Sequence, residues 1–570
     1  MKELLETIAK YRRNVNRLAV FYLLVIVLLC QFTYAERRIK ISQFGITWTF
    51  NRDYTVGQFA NGDYWVLGPI TIIGIDPPST ETNGRTINGS MVNPFPKLGA
   101  TQGYDSAMYG SHGPYFDPNL NVGRPNNRDL IPRNPLVLQP HSSLVSTISI
   151  PKPGNRPQLR TAAILTVLRE PAPEGSFRPP YCGTNKTIKF NKDQLDYSWL
   201  ANLRPVPGAP GIMAVERYFE RPWIDHIPGW MGRYHHPTEN MPDYGREIST
   251  RIGIGALKLN LNLNNQMKEV LLVRFVQLGI DLYGIVQDGG KRNWVNNGGH
   301  ASGRKWPILF AGLVLNDPDM KNIGRIDIAN YGPSHQEYVH FGEDDQTFYV
   351  GDEDIYEPPY KRHVWHGGFV YYGHGKGDKH RDYLEYTEEH RDIPEWGIEH
   401  ATDRNQDGLD WNTSYRPSST ANAWAGFILT AHIMGVKELW NHDALFDYMD
   451  RYMEVQKQVA GVGHWTRQWS RFIAKMWDAY RPDYGPVWTM SPILNIAATG
   501  GSVTKSPDKA AYTLGEKVIL KAAADDGYEF AGWSGGLSGT ENPVTIIMHA
   551  NRTVTANFAT RNNTPTHNSK

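Results

Sequence analysis

The sequence has few cysteines, almost no net charge and few long apolar runs. Its 570 residues include two cysteines, with 59 Lys and Arg against 58 Asp and Glu. Because the charges balance, nothing in the overall composition indicates a nucleic-acid partner, which would favour a basic chain. At this length the chain can bury a sizeable core in one large domain and still carry a small one.

The one long apolar run lies at the N-terminus, in LAVFYLLVIVLLCQF. It follows the basic stretch KYRRNVNR and precedes the small-residue site Thr33-Tyr34-Ala35. A membrane-spanning helix needs about 20 apolar residues, so this shorter run predicts a secretory signal over residues 1–35, or an N-terminal anchor if it is not cleaved. Cleavage removes Cys30 and leaves Cys182, so no intrachain disulfide is expected. We therefore expect a secreted, periplasmic or cell-surface protein that meets the membrane only if the signal stays.

Several familiar catalytic motifs are missing. There is no G-x-S-x-G elbow, no H-E-x-x-H and no phosphate-binding glycine loop. The stretch DRNQDG, with Asp403, Asn405 and Asp407, begins like a calcium loop, but Ser414 stands where the loop needs its Glu ligand. An Asx-type turn is the favoured interpretation, and we predict neither a metal nor another cofactor.

The organisation of the chain changes near residue 248. Residues 40–235 are rich in Gly, Pro, Asn and Tyr, which predicts loops with short strands and helices draped over a later core. Apolar residues at helical spacing then predict six helices. Their expected bounds are Ile248–Leu261, Met267–Gln287, Arg304–Leu315, Thr420–Gly435, Ala444–Gln458 and Trp465–Tyr480. Successive helices with long loops predict a mainly α fold, an (α/α) barrel or toroid, over residues 40–485.

A separate small all-β module is predicted over residues 492–560. Short alternating runs bounded by Gly, Pro or Asp turns follow the linker RPDYGPVWTMSP. The segments GGSVTKSPDKAAYTLGEKVIL, GYEFAGWSG and TVTANF resemble the bacterial extracellular repeat related to internalin B-repeats. The resemblance implies a spacer, an attachment unit or a carbohydrate binder, so we expect no chemistry from this module.

Polar residues that could act on a substrate concentrate in three clusters. The candidate residues are His235, His236, Tyr244 and Arg246 in the first cluster, Asn297, His300 and Arg304 in the second, and Tyr386, His400, Tyr415 and Arg416 in the third. Each cluster comes just before a predicted helix, at the loop end of the expected barrel. His300 could instead cap its helix, and Arg304 could form a structural ion pair.

The combination of His, Tyr and Arg suits β-elimination from a uronic-acid polysaccharide. The C5 proton of a uronate becomes acidic enough only when a donor such as Arg, His or Asn neutralises the neighbouring carboxylate. A base then removes that proton, and an acid protonates the departing O4. Tyrosine can fill both roles, but its reference pKa of about 10 requires nearby cations that favour the phenolate.

Residues 40–485 resemble polysaccharide lyase family 38. The similar motifs include ITWTFNRDYTVGQFANGDYWVLGP, NNGGHASGRKWPILFAG, EDDQTFYV, IPEWGIEHATD, WNTSYRPSSTANAW and LWNHDALFDYMDRYM. The resemblance implies an (α/α) barrel and lyase action on β-1,4-linked uronans, either glucuronan or mannuronate-rich alginate, giving 4,5-unsaturated ends. The expected partner is thus an anionic polysaccharide.

The resemblance also implies roles for single residues. His300 matches the histidine that neutralises the substrate carboxylate, and Tyr386 matches the tyrosine that acts as base and acid. Arg381 lies near the position of the carboxylate-binding arginine, with Arg304 and Arg416 as alternatives. The chain departs from the family in a long insertion between Tyr349 and Tyr386. The insertion supplies further candidates, which are Tyr356, Tyr360 and Arg362, and Tyr349 at its start is a candidate substrate-binding residue.

Two other functions stay open at this point. A glycoside hydrolase could draw a carboxylate pair from Glu395, Glu399 and Asp410. A surface protein that binds polysaccharide without cleaving it would also explain the fold and the C-terminal module. Products distinguish the three, because only elimination creates a double bond.

Overall fold

The computed structural model describes residues 36–96, 101–107, 115–123, 135–152, 157–242, 245–295, 298–324, 339–352, 355, 362–364, 368–370, 386–397, 411 and 416–561. The predicted signal at residues 1–35 lies outside these ranges. Within them, no helix is both long and apolar enough to cross a membrane.

The expectation of a mainly α fold is wrong. The structure is 32% helical and 28% strand, and its N-terminal region is a curled β half-barrel sheet rather than a set of loops. The strands of this region are β1 (Glu36–Gln43), β2 (Ile46–Gln58), β3 (Tyr64–Leu67), β4 (Ile70–Asp76), β5 (Thr80–Thr82), β6 (Arg85–Ile87), β7 (Ser90–Val92), β8 (Leu136–Leu138), β9 (Ser142–Ser149) and β10 (Leu159–Leu168).

The large sheet has the order β7-β9-β10-β3-β2-β4-β8, with β1 paired to β2, while β5 and β6 form a separate hairpin. Strand β10 is buried on both faces because its successive side chains enter two cores. Ala162 and Ile164 pack into the core shared with the helices. Ala163 and Leu165 pack into the core inside the curled sheet. The sheet is therefore fixed against the helical part of the chain.

The helical part follows the sequence periodicity closely. Its α-helices are α1 (Ile212–Glu216), α2 (Gly245–Leu259), α3 (Asn265–Gln287), α4 (Lys305–Val314), α5 (Pro318–Lys321), α6 (Gly342–Asp345), α7 (Ala421–Ile433), α8 (Lys437–Trp440), α9 (Asp443–Ala460) and α10 (Arg471–Tyr480). Five of the six predicted helices are confirmed within three residues at each end. The sixth begins at Arg471 instead of Trp465.

Two helices of this core cross at glycine. A Cβ on Gly253 of α2 would lie 2.8 Å from the Cα of Gly426 on α7, so a larger residue would force the helices apart. Short strands β11 (Thr347–Tyr349) and β14 (Pro394–Trp396) pair with each other and contact α9, and β12 (Arg362–Val364) pairs with β13 (Gly368–Val370).

The C-terminal segment folds into two three-stranded sheets, as its turn-bounded runs predict. Its strands are β15 (Leu494–Ala498), β16 (Gly501–Ser506), β17 (Glu516–Ala524), β18 (Tyr528–Gly535), β19 (Val544–Met548) and β20 (Arg552–Thr560). The orders are β15-β20-β18 and β16-β17-β19. Trp533, Val518 and Val554 fill the core between the sheets.

Candidate functional site

His300 is held in place by a close backbone contact. A Cβ on Gly245, the first residue of α2, would lie 1.4 Å from the carbonyl oxygen of Gly299, so glycine is required there. On the other side, the Gly303 N–H donates to Glu343 Oε2 at 2.9 Å. The loop that carries His300 is therefore clamped between the start of α2 and the buried helix α6.

His300 forms a pair with Arg233. Arg233 Nη1 lies 3.2 Å from His300 Nε2, and both side chains are half-buried. A guanidinium can only donate, so Nε2 accepts this hydrogen bond and the imidazole carries its proton on Nδ1. We call these two residues the outer pair. They place a cation and a neutral imidazole side by side within reach of solvent.

A buried carboxylate, Asp225, lies near the outer pair, because a Cβ on Gly232, the residue before Arg233, would lie 3.8 Å from Asp225 Oδ1. Asp225 Oδ2 accepts hydrogen bonds from Arg304 Nε at 2.7 Å and from Trp294 Nε1 at 3.1 Å. His236 Nε2 lies 3.7 Å from Asp225 Oδ1. Burial alone would raise the pKa of Asp225, but the charge and hydrogen bonds of Arg304, with His236 nearby, hold it at about 2. We call Asp225, Arg304, Trp294 and His236 the Asp225 cluster. Its buried ion pair fixes the positions of Asp225 and Arg304.

The histidines next to this cluster are neutral. Burial lowers the pKa of His226 to about 4 and that of His235 to about 3. Tyr104 contacts both imidazole rings, and the Tyr181 hydroxyl lies 3.3 Å from His226 Nδ1. Burial raises the pKa of both tyrosines well above the usual value, so they remain phenols. These four side chains form a neutral packing layer and do not provide a base.

Arg246 and Tyr349, two further candidates, have protein partners. Arg246 Nη1 donates to the Ser418 carbonyl at 2.7 Å and Nη2 to Glu247 Oε1 at 2.6 Å. The Tyr349 hydroxyl donates to Asp447 Oδ2 at 2.5 Å. Burial, together with that bond, raises the pKa of Tyr349. The remaining candidates Asn297, Tyr244, Tyr360, Arg381, His400 and Tyr415 lie outside the described residues, as do Tyr356, Glu399, Asp410 and the predicted Asx-type turn.

Arg416 belongs to a second buried cluster, centred on Glu395. Arg416 Nη1 donates to Glu395 Oε1 at 2.5 Å, and Arg451 Nη1 donates to Oε2 at 2.9 Å. Burial would raise the pKa of Glu395, but the two arginines outweigh it and lower that pKa. Arg416 begins a π-helical turn, Arg416–Thr420, just before α7. Such turns are frequent at functional sites.

This Glu395 cluster is covered by the C-terminal module. Arg451 donates to the His549 carbonyl from Nε at 3.1 Å and from Nη2 at 3.0 Å. Tyr386 lies in the same joint, packed with Phe348 and with Ala550 of the module, and is 7% exposed. The module is therefore docked through shared apolar and polar contacts.

Sequence reasoning missed the partners that organise these sites. Asp225, Arg233, Arg451 and His549 received no role, although Arg233 lies two residues before His235. The sequence carried one local signal for these residues, which is that Asp225 stands next to His226. The partners described above lie far along the chain from each of the four residues. Within the described ranges, no group of three or more His, Cys, Asp or Glu side chains could hold a metal ion.

Comparisons with known proteins inform the C-terminal module. A family model described as the divergent InlB B-repeat domain matches residues 493–562, which confirms the predicted repeat. This surface-type repeat fits an extracellular or cell-surface location. No curated protein and no solved structure matches the chain. The lyase resemblance of residues 40–485 has no counterpart among these matches.

Proposed function

We propose that this chain is an exported polysaccharide lyase, similar to polysaccharide lyase family 38, that cleaves β-1,4-linked uronans by β-elimination. Glucuronan and mannuronate-rich alginate are the proposed substrates. The observation that supports this proposal best is the outer pair, in which Arg233 and His300 meet at 3.2 Å in a half-buried position. Secretion or release to the periplasm after cleavage of residues 1–35 is part of the same proposal.

The outer pair suits the first requirement of elimination. The Arg233 guanidinium supplies a positive charge beside the His300 imidazole, and both groups carry N–H donors of the kind that bind a uronate carboxylate. Neutralising that carboxylate stabilises the enolate-like intermediate formed when the C5 proton leaves. The electrons of the C5–H bond then form the C4–C5 double bond, while the C4–O4 bond breaks and O4 takes a proton.

The second requirement is a group that removes the C5 proton and protonates O4. Tyr386 is our candidate for both steps, on the strength of the family resemblance. Its side chain interacts electrostatically with Arg416. Its ring packs in the apolar cluster beneath the C-terminal module. Its hydroxyl oxygen is buried in this joint.

The state of Glu395 makes it unsuitable as the acid of a glycoside hydrolase. A glycoside hydrolase needs one carboxylic acid with a raised pKa to protonate the leaving group. Glu395 is fully buried between two arginines that lower its pKa, so it is a poor general acid.

The test measures ultraviolet absorbance of the unsaturated product during incubation with polyglucuronate, polymannuronate or polyguluronate. We expect absorbance to rise with one uronan and His300→Ala to slow the reaction about 100-fold or more, since it removes a donor to the developing negative charge. Tyr386→Phe should abolish the reaction. The control is His141→Asn, because His141 is exposed and has a φ of 71° that asparagine tolerates.

Other results would reject the proposal or part of it. New reducing ends without absorbance would indicate a hydrolase. Binding without any product would indicate a surface polysaccharide-binding protein. Full activity of Tyr386→Phe would keep the lyase and move the base to another tyrosine, with Tyr356 and Tyr360 the next to change.

A further inference from the structure

The loop between α9 and α10 exposes two tryptophans. Trp465 is 49% exposed and Trp469 is 39% exposed. Their ring centroids lie 6.4 Å apart, with the ring planes at 87°. We call residues 461–470 the tryptophan loop. Large apolar side chains grouped on a surface commonly mark a binding site.

The tryptophan loop is firmly anchored despite its exposed rings. The buried Arg467 donates from Nε to the Met453 carbonyl at 3.0 Å and from Nη2 to Asp478 Oδ1 at 2.5 Å. The Trp469 N–H donates to the Asn422 carbonyl at 2.9 Å, and the Tyr452 hydroxyl donates to the Thr466 carbonyl. A ligand that bound these rings would therefore not have to order the loop, which reduces the entropic cost of binding.

The tryptophan loop lies next to the candidate site. The Arg246 guanidinium carbon stands 3.8 Å from the centroid of the Trp469 ring. Arg246 directly follows Gly245, which abuts Gly299 and the Cα of His300. The exposed rings and the outer pair are thus linked through two consecutive residues at the start of α2.

We propose that Trp465 and Trp469 form a sugar-stacking subsite for a β-1,4-linked uronan chain that extends from the outer pair. The C–H groups on one face of a pyranose pack against an indole, while its hydroxyls and carboxylate stay in water. The proposal rests on the proposed function for the identity of the polymer.

The test compares wild type with a Trp465→Ala/Trp469→Ala double variant. Affinity electrophoresis in gels containing polyglucuronate or polymannuronate measures binding, and hydroxyethylcellulose serves as a neutral β-1,4-linked polymer. We expect uronan binding to weaken about 10- to 100-fold, the effect of losing stacking on aromatic rings. KM should rise on long chains while kcat is kept. Tyr115→Ala, which removes a 57% exposed aromatic side chain from the N-terminal region, is the matched control.

The outcomes separate this subsite from the proposed function. Uronan binding that depends on the tryptophans, without unsaturated product, would keep the subsite and reject the lyase. Cleavage with an unchanged KM and unchanged binding in the double variant would keep the lyase and reject the subsite. A wild type that neither binds nor cleaves uronans overturns both. Sedimentation that shows a wild-type dimer, lost in the double variant, would make this surface an interface between copies and overturn the subsite.

Discussion

Two buried carboxylates, Asp225 and Glu395, are built alike and used differently. Asp225 is paired with Arg304 and an indole N–H, and Glu395 with Arg416 and Arg451. All of these charged groups are almost completely buried. The Asp225 cluster lies near the half-buried outer pair, whereas the Glu395 cluster is covered by the C-terminal module.

The difference shows that a buried ion pair is not itself a sign of chemistry. Both clusters cost desolvation energy that the pairing has to offset, and both fix the orientation of neighbouring groups. The two clusters differ in what lies between them and the solvent. Arg233 and His300 keep access to solvent beside Asp225, but the backbone of His549 closes off Arg451. The same physical unit lies near the outer pair in one place, and in the other it joins two domains next to Tyr386.

The largest effect is expected where one carboxylate serves two arginines. Glu395→Gln leaves Arg416 and Arg451 buried without a counter-charge, which should lower the free energy of unfolding by about 5 kcal/mol. Denaturant unfolding measures this loss, and limited proteolysis between residues 485 and 492 reports release of the module. The control Glu388→Gln changes an exposed glutamate that also binds an arginine, Arg391, and should leave stability unchanged. Equal stability of the two variants would contradict the role of the Glu395 cluster in the joint.

A smaller loss of stability, combined with loss of activity, is expected at the other carboxylate. Asp225→Asn leaves one buried arginine unpaired and should cost about 3 kcal/mol in the free energy of unfolding. The joint should stay intact, so the linker should remain resistant to protease. Adding Arg304→Met removes the orphaned charge, and the double variant should recover stability without recovering activity. Recovered uronan cleavage in that double variant would show that the Asp225 cluster does not support the site.

The smallest effect concerns acid stability of the neutral layer beside Asp225. His226 has a folded-state pKa of about 4, below its unfolded value of 6.5, because burial disfavours the charged imidazole. The unfolded chain therefore takes up a proton first, and stability present above pH 6.5 is lost as the pH falls towards 4. For this residue the loss over the first pH unit below 6.5 is about 1 kcal/mol.

Unfolding curves at a series of pH values check this effect. His226→Gln should flatten the pH dependence by that amount, while His464→Gln, at an exposed histidine, should not change it. An unaltered slope in His226→Gln would mean that His226 does not contribute to acid sensitivity.

The large N-terminal sheet was not predicted from the sequence, and the reason is physical. Strands β9 and β10 are buried on both faces, so they do not show the alternation by which half-buried strands are recognised. Strand β2 does alternate at first, but the exposed residues 51–53 interrupt its pattern. The Gly- and Pro-rich connections around these strands favoured a loop interpretation. The helices, by contrast, carry continuous stripes of apolar residues that can be read within one segment.

The candidate site was only partly accessible from sequence. His300 stood out because of its glycines and its position before a helix, and the structure places it beside Arg233. The sequence left two roles open for Arg304, substrate binding or a structural ion pair, and the structure pairs it with Asp225. Arg416, expected near the substrate, binds Glu395. A single sequence states which residues are polar but not which carboxylate each arginine meets.

The sequence by itself determined the local features of this protein. Apolar periodicity set helices such as α3 and α9, and turn-bounded alternation set the C-terminal repeat, because each depends on neighbours within a few residues. Tertiary structure alone decided the contacts between distant segments. Arg233 and His300 are 67 residues apart, Asp225 and Arg304 are 79 apart, and Arg451 and His549 are 98 apart. Such contacts form only when packing of the whole core brings their backbones together, and no local pattern records them.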